Sequence, residues 1–134
     1  MSEPKVIHPE GWLTPAGYAH GVSATGRVIV TAGQFGWNPA TGEFESDDMA
    51  AQAAQALRNV VAVLRAAGVG PEHLVRLTWF VTDRFEFARA RRAIATHYRE
   101  LIGERGAATS VIPVIALVEE RAKVQIEATA VGPA

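Results

Sequence analysis

Near the end of the chain a short row of polar side chains has the types and spacing for acid–base chemistry. From Val124 to Ala130 the residues alternate: Val124, Ile126, Ala128 and Ala130 fall on one side of an extended strand, and Gln125, Glu127 and Thr129 on the other. The apolar row belongs on a core. The polar row lines up an amide, a carboxylate and a hydroxyl. An amide can hold a water molecule but does not take its proton near neutral pH; a carboxylate can, so Glu127 is the group suited to acid–base work. The same carboxylate would serve equally well as half of an ion pair, since structural networks also occupy such faces. Left wet, the row does nothing. Covered by another subunit, it becomes the wall of a pocket.

Other residues with chemical potential are scattered. Arg76 lies on the equivalent face of its own strand, where a guanidinium can clamp a carboxylate or sit in a solvated salt bridge. Tyr18 and His20 share one strand face; each reads either as a ligand contact or as hydrogen-bonded structure. Trp37 and Trp79 are large enough to stack on a ligand ring, although Trp79 falls on a helix-facing side and reads as core. His8, His20, His73 and His97 show no ligand spacing and the chain has no cysteine, which excludes thiol chemistry and disulfides and argues against a metal site. Arg84, Arg89, Arg91 and Arg92 cluster in one helical stretch. With a net charge of -1 they read as a solvated helix face, not a nucleic-acid surface.

The elements that must position these groups follow from pattern. A chain of 134 residues makes one domain. Residues 1–16, rich in proline and glycine, read as an extended arm with Trp12 docked, and residues 17–134 as a single domain. Tyr18 to Ala24 and Arg27 to Gly33 read as a hairpin turning at Thr25-Gly26. A first helix should start at an N-cap Ser46, carry Asp47 and Asp48 in its first turn, bury Ala50, Ala54, Leu57, Val61 and Leu64, and stop at Gly68. Leu74 to Thr82 is a strand, and Asp83 caps a second helix that buries Phe87, Ile94, Tyr98 and Leu101. Two closing strands follow, and Pro113 marks the first as an edge or a bulge. The order β-β-α-β-α-β-β leaves two helices to cover one face of a sheet. The bare face, bearing Arg76, Thr78, Phe80, Gln125 and Glu127, calls for a closed ring of identical subunits. The N-terminus has no apolar signal core and no apolar run approaches the roughly 20 residues of a membrane span, so the expected location is the cytoplasm.

Five stretches in order, GYAHGV, VTAGQFGWNPATGEF, AAQAAQALRNVVAVLRAAG, LVRLTWFVTDRFEF and AKVQIEATAV, resemble the Rid (reactive intermediate deaminase, YjgF-type) family from about Tyr18 to Val131. The resemblance implies an α+β, chorismate-mutase-like fold of the bacillus type, forming a homotrimeric barrel with three pockets between subunits. It implies a small-molecule substrate and no cofactor; the family has also carried ribonuclease and translation-inhibitor labels, but a net charge of -1 gives no pull toward nucleic acid or an anionic membrane, so neither is expected as a partner. The RidA branch hydrolyses enamines and imines such as 2-aminoacrylate to 2-oxo acids and ammonia. Its pocket tyrosine falls on Tyr18, its Gly-Gln turn on Gly33 and Gln34, and its aromatic on Phe87. Two positions depart. The arginine that pairs with the substrate carboxylate is Thr109 here, and the glutamate that orients water is Gln125; Arg105 stands four residues before Thr109. A threonine offers one neutral bond where arginine offers a bidentate, charged one. The pocket then reads as respecified toward a less acidic or bulkier substrate. The expectation is a cofactor-free C–N hydrolase using Glu127, directly or through Gln125, with substrate contacts from Tyr18, Gly33, Gln34, Phe87, Thr109, Val111 and Arg76. The alternative is a non-catalytic binding or interaction trimer on the same scaffold.

Overall fold

One strand, β7 (Val124–Gly132), carries most of the pairing in this molecule. The computed structural model describes residues 3–104 and 106–134. In chain order the elements are β1 (Lys5–Ile7), β2 (Gly21–Ser23), β3 (Arg27–Val30), β4 (Gln34–Phe35), α1 (Met49–Ala66), β5 (Leu74–Val81), α2 (Arg84–Leu101), β6 (Ala108–Pro113) and β7. The main sheet runs β3-β7-β5-β6, and β4 pairs with the other end of β7. All pairings are antiparallel except β5 with β6, which the α2 crossover makes parallel. Both helices pack on one face, giving an α+β architecture.

β7 behaves as its alternation requires. Val124, Ile126, Ala128 and Ala130 are buried with Leu57, Val60 and Leu64 of α1 and Leu77, Trp79 and Val81 of β5 in one core. Gln125 and Thr129 are half-buried and Glu127 is exposed. β6 is the sheet edge, and Pro113 closes it, as a residue without an N–H should.

The helix stops match expectation. At the end of α1, Gly68 has φ 85, its N–H donates to Arg65 O, and the Val69 N–H donates to Leu64 O, a Schellman closure that needs the left-handed glycine. Asp83 caps α2, accepting from the N–H groups of Phe85 and Glu86.

Four expectations need correction. The N-cap of α1 is Asp48, whose carboxylate accepts from Ala51 N–H, while Ser46 Oγ accepts from Asp48 N–H one step earlier and Asp47 pairs with Arg121 at 2.8 Å. The buried stripe takes in Val60 where Val61 was expected; Val61 is half-buried. The Thr25-Gly26 hairpin does not form. β2 pairs with β1 of the N-terminal arm, and β3 pairs with β7. Gly26 is needed for another reason: a Cβ there would meet the Gly132 carbonyl oxygen at 2.0 Å. The expected single strand to Gly33 also breaks. The Thr31 hydroxyl accepts the Ala128 N–H that a ladder carbonyl would otherwise take, and pairing resumes at Gln34.

Gln52 ties the start of α1 to the loop entering β7. It is buried, donates to the carbonyls of Ser46 and Arg121, and accepts from Lys123 N–H at 2.8 Å. Gln52→Ala strands these backbone groups and should lower the unfolding free energy by about 2–4 kcal/mol, read as an earlier urea midpoint at fixed protein concentration.

Candidate functional site

A sizeable cleft lies between α2 and the sheet edge, and its existence follows from the edge. β6 has β5 on one side only, so α2 overhangs it without a further strand beneath. The cleft has a volume of about 780 Å³; its floor includes Trp79, Thr109 and Val111, its helical wall Phe87, Arg91, Ile94 and Tyr98, and its near end Tyr18. The segment before β2 closes that end. Ala19 bridges Ala108 and donates to Ala107 O, and a Cβ on Gly106 would lie 3.1 Å from Tyr18 backbone. Tyr18 meets the His20 ring edge-on at 5.5 Å, and His20 also meets Trp12 at 4.9 Å. His20 therefore lies among rings at the surface, and Trp12 contacts it while staying 57% exposed, so the expected docking does not bury the indole.

The expected site residues divide into two groups within one chain. Register sets the division: Leu77 stands opposite both Thr109 and Ala128, on the helix side, while Thr78 stands opposite Ser110 and Glu127, on the bare side. Tyr18, Phe87, Thr109 and Val111 therefore meet in the cleft. Glu127, Gln125 and Arg76 belong to the other face of the sheet. Gly33 adjoins Gln125 so closely that a Cβ would fall 2.0 Å from Gln125 Nε2. Gln34 pairs opposite Ile126, three strand spacings or about 14 Å from β6. Among the described residues, neither Arg76 nor Glu127 has an ion-pair partner. Arg105 lies outside the described residues.

Several cleft residues were not singled out as site candidates in the sequence, Tyr98, Arg91 and Arg99 among them. Tyr98 was assigned to the buried stripe of α2, Arg91 to a solvated face, and Arg99 to neither. The spacing Phe87, Arg91, Ile94, Tyr98 is one helical stripe, so the signal was present. Trp79 Nε1 and Tyr98 Oη, on two side chains that border the cleft, are buried beneath its surface without a hydrogen-bond partner among the described residues. Unpaired buried polar groups cost about 1–3 kcal/mol each. Burial pushes the Tyr98 hydroxyl up to about 12, so it remains a protonated donor at neutral pH. At the mouth of α2, the Glu86 N–H, with that of Phe85 and the charges of Arg89 and Lys123, holds the Asp83 carboxyl below its usual range, against the pull of burial. Among the described residues no group of three or more histidine, aspartate or glutamate side chains could hold a metal ion.

Comparison with known proteins bears on the family and the fold. The model of the family described as Endoribonuclease L-PSP matches residues 12–132. The fold superposes on YyfB of Yersinia pestis, a Rid-family protein, with a TM-score of 0.85 at 35% identity, covering 97% of this chain and 99% of that one. The chain belongs to the Rid family. Over 117 residues it is 39% identical to the 2-iminobutanoate/2-iminopropanoate deaminase of Escherichia coli K12, covering 85% of this chain and 86% of that protein. Escherichia coli TdcF, solved with bound serine, superposes with a TM-score of 0.70 at 31% identity, covering 96% of this chain and 98% of that one. Among the described residues of this Rid chain, no helix is long and apolar enough to cross a membrane.

Tyr98 gives the Rid cleft a pH signature. Its neutral form is favoured by folding, so its contribution is intact below pH 10 and is lost as pH rises toward about 12. The stability of wild type relative to Tyr98→Phe, from thermal melts across pH, should be constant from pH 7 to 9 and fall through that window. A constant difference throughout would exclude Tyr98 as the buried, unpaired hydroxyl.

Proposed function

We propose that this chain is a cofactor-free hydrolase of a small imine or enamine, working as a homotrimer with its site shared between subunits, and tuned to a substrate other than 2-aminoacrylate. The observation that carries the reading is the split of site residues across two faces of one sheet. Tyr18, Phe87, Thr109 and Val111 meet in the cleft, whereas Glu127 and Gln125 stand on the face without helices. A ring of copies can bring the second group of one subunit to the cleft of the next. The bare face has the apolar character an interface needs: Val28 and Val30 at one edge of the sheet are 64% and 69% exposed, and Ile112 at the opposite edge is 42% exposed. The imine-deaminase name of the Escherichia coli relative and the serine bound to TdcF both support a small amino-acid-like ligand.

In the proposed reaction water adds to the C=N carbon and the π pair moves to nitrogen, giving a carbinolamine. Glu127 takes the proton that water loses, directly or through a water held by Gln125, and returns a proton to nitrogen. Ammonia leaves as the carbonyl forms, so imine plus water yields ketone plus ammonia. Backbone groups near Val111 on the edge strand hold developing charge.

The test has two parts. Sedimentation should give about three times the 14.3 kDa of one chain. Purified protein should accelerate loss of imines generated in situ by an amino-acid oxidase, and Glu127→Gln should reduce the rate on the order of 100-fold. An unchanged rate in that variant removes Glu127 from the reaction. No acceleration by wild type, with thermal stabilisation by 2-oxo acids retained, would replace this reading with a non-catalytic binding trimer.

A further inference from the structure

We infer that Arg91 of α2 supplies the anion contact of the cleft, and that the ligand it holds is a carboxylate carrying an apolar side chain larger than methyl. The inference deepens the proposed imine chemistry by naming the substrate class, a branched or aromatic 2-imino acid.

Thr109 cannot donate that contact, because its hydroxyl already donates to Ala107 O at 2.9 Å. Arg76 is on the opposite face of the sheet from Thr109. Arg91 lines the same cleft as Thr109, and its position follows from local geometry. Val111 is paired with Trp79, and the Trp79 ring lies 6.3 Å from that of Phe87. From Val111 back to Thr109 is about 6.6 Å along the strand. From Phe87 on to Arg91 is one helical turn, about 6 Å. Because α2 connects the parallel strands β5 and β6, it runs opposite to both, and the two displacements are in the same direction. Arg91 therefore stands across the cleft from Thr109.

Its guanidinium has not been claimed by another group. Among the described residues Arg91 has no carboxylate partner; its contact is the Phe87 ring, with Cζ 5.8 Å from the centroid. Stacking on an aromatic face orients the planar fork while leaving its N–H edge for a bidentate acceptor. Among the described residues the cleft holds one further guanidinium, Arg99, and one carboxylate, Glu104, both toward the C-terminal end of α2. Between Arg91 and the floor the lining is apolar or aromatic: Trp79, Phe87, Ile94 and Val111. A carboxylate at Arg91 puts the ligand's side chain against these groups.

The test is a calorimetric titration of the full chain with 4-methyl-2-oxopentanoate, its uncharged amide, and pyruvate. Wild type should bind the branched acid at least tenfold more tightly than either the amide or pyruvate. Arg91→Ala should weaken the branched acid at least tenfold and leave the amide unchanged. Arg91→Lys should recover part of the loss, and Arg92→Ala, the same charge change on an exposed neighbour, should match wild type. The inference is overturned if wild type does not bind the acid, if Arg91→Ala leaves its affinity unchanged or weakens acid and amide alike, if pyruvate binds as tightly, or if Arg92→Ala weakens the acid as much. Because the readout is binding, a failure of imine turnover would overturn the proposed reaction while leaving this result to stand or fall by itself.

Discussion

The burial of one side of β7 constrains the rest of the molecule. Val124, Ile126, Ala128 and Ala130 are locked against α1 and β5. Successive strand residues point to opposite faces, so Gln125, Glu127 and Thr129 have no freedom to join that core. A one-residue slip would put a carboxylate into the apolar interior and expose four core side chains, which fixes the register strongly. Everything polar on β7 is committed to the face that neither helix covers.

The second consequence appears at the edge. Two helices spread over a sheet with β6 outermost leave α2 overhanging, and the cleft forms where its apolar stripe runs past the strand beneath it. That is why Trp79 is both a core residue and a cleft residue: it is 4% exposed, packs edge-on to Phe87, and keeps an indole N–H without a partner. A monomer pays for such donors unless a ligand or a neighbouring chain satisfies them. The same asymmetry explains why the proposed site must be assembled from more than one copy, since no bending of a packed sheet brings Glu127 through to Thr109.

Departures from regular pairing cluster around Gln125. The Thr31 hydroxyl stands in for a backbone acceptor opposite Ala128, and Gly33 gives up a side chain so that the Gln125 amide can lie against its backbone. Gly36, next along, sits so close to α1 that a Cβ would meet Gln52 O at 2.2 Å. A Gly-Gln turn that looks permissive in the sequence is thus constrained on both sides, by the amide of Gln125 and by the backbone of the helix.

Local signals were legible in the sequence where a single physical rule governs them. The alternation of β7, the Asp83 cap, the glycine stop at Gly68 and the edge proline all depend on near neighbours, and all are as the pattern implied. Pairing was less legible. Thr25-Gly26 has the composition of a tight turn, but the glycine answers to the Gly132 carbonyl, more than a hundred residues away, and β2 turns to the arm instead. Ser46 and Asp48 are both good caps by type, and only the position of the chain entering α1, held by Gln52 and the Asp47–Arg121 pair, chooses between them. The sequence by itself determined the element types and the two-faced character of the last strand. Tertiary structure alone decided that Arg91 and Tyr98 share a cleft with Thr109 while Arg76 and Glu127 do not, because sharing a site depends on which face of which strand a helix crosses, and no spacing along the chain encodes that.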